Sequence, residues 1–159
     1  MIAKKSCCTA PVLASVSFLL KMQRPVSQLV VAGALYTHGR VLIARRLRGE
    51  DVGKWEFPGG KVEPWENPEA ALVRELNEEL GVEIAESALF PLAFASVARS
   101  GCPHLVLLLY GCHTWAGSPR GREGQEIAWV NDLEDIEMPA ADLSLIASVR
   151  AFLAEHRAN

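Results

Sequence analysis

Gly60-Lys-Val-Glu-Pro-Trp-Glu66-Asn-Pro-Glu-Ala-Ala-Leu-Val-Arg74-Glu75-Leu-Asn-Glu78-Glu79-Leu-Gly81-Val82 is the stretch around which the rest of the chain is organised. Its first part reads as a loop. Asn67 then makes a good N-cap, Pro68 suits the first helical position and Gly81 is a natural stop, so a helix is expected between them. At about 100° per residue, and with Glu75 at zero, Glu78 falls near about −60° and Glu79 near about +40°. Leu72, Val73, Leu76 and Leu80 fall between about +60° and +160° on the same count. The helix therefore carries an apolar stripe beside an acidic face.

Crowded carboxylates raise one another's pKa and repel, which costs stability unless a cation sits among them. Oxygen ligands suit a hard divalent ion, Mg²⁺ first and Mn²⁺ as a substitute, which keeps several waters and takes up substrate phosphates. On the acids alone, a solvated face of a Glu-rich helix is the competing reading.

The spacing decides between them. Glycine, five residues, Glu, seven residues, then Arg-Glu-aliphatic-any-Glu-Glu-any-Gly-aliphatic is the Nudix box, and Gly60, Glu66, Arg74, Glu75, Leu76, Glu78, Glu79, Gly81 and Val82 meet every fixed position. The preceding Lys54-Trp55-Glu56-Phe57-Pro58-Gly59-Gly60-Lys61 resembles the MutT branch. From about Leu29 to Leu153 the chain looks like a MutT-type nucleoside triphosphate pyrophosphohydrolase or a relative acting on CTP. That resemblance implies an α/β/α sandwich around a mixed sheet, with the box as a loop–helix–loop across one edge.

The resemblance also assigns residues. Glu75, Glu78 and Glu79 would hold metal, with Glu75 the leading general base and Arg74 orienting it. Base and ligand roles can exchange among such coupled acids. Gly59 would ligate through its carbonyl, and Glu123 in Gly121-Arg-Glu-Gly-Gln125 matches an acid supplied from outside the box. Glu66 is expected to anchor the loop. Arg46, Phe57 and Lys61 are expected to contact the nucleotide. Strand alternation turns Arg45 away from Arg46, leaving Arg45 to solvent. Asp142, just before the final helix, stands where MutT proteins carry an Asn that reads 8-oxoguanine. An ionised Asp only accepts hydrogen bonds, which favours donor-rich edges such as cytosine's amine. Its alternative role is a helix cap. Trp65 replaces the small residues that MutT relatives often carry at this unconstrained position.

The remaining chain reads as strands and one helix. Leu29–Thr37 and Val41–Arg46 form a hairpin around His38-Gly39. Leu89–Val97 and His104–His113 are strands, the run Leu105–Tyr110 being apolar throughout, as for burial on both faces. A short strand follows at Glu126–Val130. Leu143, Ile146, Ala147, Arg150 and Leu153 mark an amphipathic C-terminal helix. His104 and His113 are isolated and expected to be structural.

At 159 residues and net charge −3, half hydrophobic and 22% charged, this is one domain with a sizeable core. The mild acidity argues against nucleic-acid polymers and membrane surfaces as partners. A free nucleotide remains, bound by a monomer or homodimer. Cys7, Cys8, Cys102 and Cys112 have neither zinc-site nor disulfide-framework spacing. Residues 1–24 are expected to be an extension outside the fold, and residues 25–159 the domain. The run Cys7–Leu20 after Lys4-Lys5 resembles a secretory signal but lacks a small-x-small cleavage site, and it is short for a membrane span. Met22 as the true start, giving a cytoplasmic enzyme, is the favoured reading. The rivals to nucleoside triphosphates are another diphosphate such as ADP-ribose, or a nucleotide-sensing module without chemistry.

Overall fold

β-Branched and aliphatic residues around Val30 and Val31 build the strand on which everything else is hung. The computed structural model describes residues 27–122 and 124–156; Glu123 and the N-terminal stretch with its proposed start at Met22 lie outside them. Strand β1 (Gln28–Thr37) turns at His38 (φ 47°) and Gly39 (φ 70°) into β2 (Arg40–Arg45). Two positive φ values in a two-residue loop match the right-handed twist of a hairpin. From Gln28 to Leu35 β1 also pairs in parallel with β6 (Leu105–Cys112), Gln28 opposite Leu105 and Leu35 opposite Cys112. β6 pairs antiparallel with β5 (Phe90–Val97), and β2 with β7 (Ile127–Val130).

Two strands were not foreseen. Trp55–Glu56 (β3) pairs with β2, and Gly59–Lys61 (β4), expected to be loop, pairs with β1 through Val30, Val31 and Ala32. One edge of β1 is thus divided between β4 and β2, and the sheet forks there. Runs of two and three residues carry no detectable period, which is why the sequence hides them.

Alternation along β1 separates two cores. Val31 and Leu35 face helix α1 (Pro68–Leu80) and pack with Leu72, Leu76 and Leu80. Ala32 and Ala34 face the C-terminal segment and pack with Leu145, Val149 and Leu153. The result is the expected α/β/α sandwich with a mixed sheet. β6 supplies buried residues to both cores, Leu107 and Leu109 to one, Tyr110 and Cys112 to the other.

The C-terminal helix differs from expectation. It is split into α2 (Ala140–Leu143) and α3 (Ile146–Glu155), with the Ser144 hydroxyl donating to the Ala140 carbonyl at the break. The break resets the helical phase. Leu145, Val149 and Leu153 point inward, whereas Leu143, Ala147 and Arg150 are exposed. Among the described residues, no helix is long and apolar enough to cross a membrane.

Candidate active site

The fork in the sheet brings two glycines against β1, each needed for a different reason. A Cβ on Gly59, whose φ is +152°, would lie 2.2 Å from the Val31 carbonyl oxygen; one on Gly60 would lie 2.2 Å from the carboxyl carbon of Glu75. Gly59 lets the backbones approach, and Gly60 leaves room for a carboxylate. The Gly59 N–H donates to Glu79 Oε2 at 3.0 Å. Glu75 and Glu79, one turn apart on α1, therefore both lean on the glycine pair.

Helix α1 begins and ends as its sequence dictates. The Asn67 side chain accepts from the Ala70 N–H at 2.6 Å, and Gly81 closes the helix at φ 70°. Arg74 ties that helix to the preceding loop. Its Nε and Nη2 each donate to one oxygen of Glu66 at 3.0 Å, Nη2 also reaches the Lys61 carbonyl at 3.2 Å, and Nη1 donates to Glu75 Oε1 at 2.8 Å. The guanidinium holds Glu66 below the usual carboxylate range. Trp65, by contrast, stands fully exposed at φ 71°, so its bulk meets no neighbour.

The three box acids do not share one environment. The Glu78 side chain is 61% exposed and, among the described residues, pairs only with Arg74, at 3.7 Å, whereas the Glu75 side chain is 17% exposed. Burial first, then the carboxylates of Glu56 and Glu75, push Glu79 up to about 7 against the Gly59 N–H. Among the described residues, no three His, Cys, Asp or Glu side chains gather into a metal cage. A divalent ion held through one or two carboxylates and substrate phosphates needs no such cage. A half-buried acid carrying like-charge repulsion, beside a carboxylate seated on a glycine, fits that donor set.

These groups open into a cleft of about 770 Å³ that also receives Arg46, Phe57, Lys61 and Asp142. Asp142 is 5% exposed and its Oδ1 accepts the Phe57 N–H at 3.1 Å. It caps neither α2 nor α3, so the helix-cap role is excluded. Burial, and secondarily Glu56, push its carboxyl up to about 7. Arg46 pairs with Glu56 and donates through Nε to the Glu50 carbonyl at 2.7 Å. Arg45 turns the other way, but not simply to solvent: it lies 4.9 Å over the Trp55 ring and 3.4 Å from Glu126.

The family model described as the NUDIX domain matches residues 26–153. The chain belongs to the Nudix family. This Nudix hydrolase is 39% identical to a "Putative 8-oxo-dGTP diphosphatase 2" of Mycobacterium tuberculosis, over 78% of this chain and 89% of that one. It is 34% identical to a "CTP pyrophosphohydrolase" of Escherichia coli, over 82% and 96% of the two chains. A crystal structure of a MutT NUDIX hydrolase from Burkholderia pseudomallei superposes with a TM-score of 0.67 at 30% identity, covering 78% of this chain and 97% of that one.

Two cleft residues of this Nudix chain escaped sequence reasoning. Glu56 stands within the quoted Trp-Glu-Phe-Pro motif, but its burial against Arg46 depends on the β2–β3 pairing. Arg122 was hidden behind its neighbour Glu123, and its position follows from where the loop meets α1.

Proposed function

We propose that the chain hydrolyses nucleoside triphosphates to the monophosphate and pyrophosphate, with Mg²⁺ or Mn²⁺, and that 8-oxo-dGTP is its preferred substrate. One observation carries this reading: Glu75 and Glu79, seated on the glycine pair, open into the same cleft as Phe57 and Asp142. Groups that handle charge and groups that contact a base thus face one ligand-sized space. Glu75, Glu79 and Gly59, joined by Glu78 and Glu123, would hold the metal. The chemistry it supplies when bound is neutralisation of charge on the phosphate oxygens. Arg74 fixes Glu75, which takes the proton of the attacking water. Lys61 and Arg46 offset phosphate charge, and Glu56 holds Arg46 in place. Such a protein works as a monomer or homodimer in the cytoplasm, where its substrates are.

The names of the relatives support two bases, and Asp142 bears on the choice. A carboxyl pushed up to about 7 keeps its proton on a good share of molecules at neutral pH. It can then donate to O6 of 8-oxoguanine. Ionised, it only accepts, which suits the cytosine amine of CTP or dCTP; that is the second reading.

Pyrophosphate release from 8-oxo-dGTP, dGTP, CTP, dCTP and ADP-ribose tests the proposal. The highest kcat/KM on 8-oxo-dGTP supports it, and a higher value on CTP or dCTP replaces it with the second reading. AMP formed from ADP-ribose with no triphosphate turnover would sink both. Tight nucleotide binding without hydrolysis would point to a sensing module.

A further inference from the structure

Most cations that line the cleft are already engaged. Arg46 is committed to Glu56, and Arg99 donates to Gln28 Oε1 at 2.6 Å and to the Pro103 carbonyl. Lys61 and Arg122 form no ion pair with a described carboxylate. Lys61 sits in the box itself; Arg122 has no role in what precedes.

Arg122 is nevertheless held firmly. Its N–H donates to the Glu79 carbonyl at 2.9 Å, its own carbonyl accepts from Gln125 at 3.0 Å, and the Arg120 N–H donates to the Leu80 carbonyl at 3.0 Å. The guanidinium lies over Gly81, where a Cβ would stand 2.7 Å from Nη2 and 2.8 Å from Nε. Only a glycine leaves it that place. Helix α1 has no basic residue in its last turn, and the carboxyl end of a helix repels anions. Arg122 reverses the local sign at the end of the cleft just beyond Glu79. A planar fork of donors placed there suits phosphate oxygens.

We propose that Arg122 is a further cationic contact, in addition to Lys61 and Arg46, for the polyphosphate of the substrate, and that it retains the pyrophosphate product. The inference rests on the nucleoside triphosphate reading above. A helix-capping role alone would affect stability and not discriminate between ligands.

The full chain carrying Arg122→Gln or Arg122→Lys separates the two, with Mg²⁺ present. KM for 8-oxo-dGTP and CTP, and inhibition by inorganic pyrophosphate and by the nucleoside monophosphate, are measured beside the melting temperature. In Arg122→Gln, KM rises and pyrophosphate inhibition weakens by about tenfold or more, the scale of one charge-assisted hydrogen bond. Monophosphate inhibition stays within about twofold, and Arg122→Lys, which keeps the charge without the planar fork, recovers only part of the loss. A lower melting temperature with unchanged KM and pyrophosphate inhibition would overturn the proposal, as would equal weakening by both inhibitors. Should the wild type release pyrophosphate from no triphosphate, the functional reading fails by itself. Calorimetric binding of magnesium pyrophosphate then decides Arg122: about tenfold weaker in Arg122→Gln upholds it, and equal affinity rejects it.

Discussion

Asp142 holds an acid where the surrounding packing favours a neutral group. Its carboxyl is raised by burial from 3.8 to about 7, so it binds its proton more tightly in the folded chain than in the unfolded one. Its contribution to stability is then greatest below the ordinary carboxylate range and is lost as pH rises to about 7. Asp142→Asn keeps an acceptor for the Phe57 N–H and removes that loss, stabilising the protein above neutrality by as much as ~4 kcal/mol. Thermal melts at pH 5 and pH 8 check it, the gap between the two proteins being larger at the higher value. The same substitution should change the kcat/KM ratio of 8-oxo-dGTP to CTP by about tenfold, or about 1.4 kcal/mol; an unchanged ratio would remove Asp142 from base selection. Glu79 follows the same logic with a different outcome for activity. Glu79→Gln abolishes most turnover and raises the metal-free melting temperature at pH 8, worth about 1–3 kcal/mol. Glu78→Gln loses turnover with no such gain, because Glu78 is already solvated. The acids and Arg74 are legible in the sequence because their spacing is fixed. The half-burial of Glu75 and Glu79 is not, since helical angles give direction without saying which strand lies opposite.

Helix α1 joins the parts of the site from its middle and its C-terminal end. At its midpoint Arg74 binds Glu66 through two hydrogen bonds, and at its finish Gly81 makes room for Arg122. Gly81→Ala strains a residue at φ 70° by about 1–2 kcal/mol and pushes the guanidinium aside. A lowered melting temperature with a raised KM is the expected outcome; a normal KM would detach Arg122 from the ligand. Both caps of α1 can be read from Asn67, Pro68 and Gly81, because capping is local chemistry. The final helix shows the opposite case. A single stripe through Leu143 and Ala147 fails because the break at Ser144 shifts the phase, and no proline or glycine announces that break.

The sandwich as a whole depends on β1, whose neighbours are β6 along one edge and β4 and β2 along the other. Individual strands show in the sequence through their apolar runs. Their parallel and forked pairing does not, because register between distant strands is set by the packing of two cores together, and the expected layers came from resemblance. Since β1 starts at Gln28, a chain beginning at Met22 should be soluble and turn over nucleotides like the full chain. Loss of folding or activity on removing residues 1–21 would contradict this. The pairing of β1 with β6 also has a cost during synthesis. Gln28 meets Leu105, 77 positions later in the chain. At roughly 5–20 residues per second, the ribosome leaves β1 without its parallel partner for several seconds. Through that interval Leu29–Tyr36 is an uncharged, proline-free, strand-prone segment with open edges, the kind that pairs with other copies of itself. Rapid overproduction should therefore drive the nascent enzyme into aggregates, and slower, cooler translation should keep it soluble, although the finished fold buries the segment on both sides.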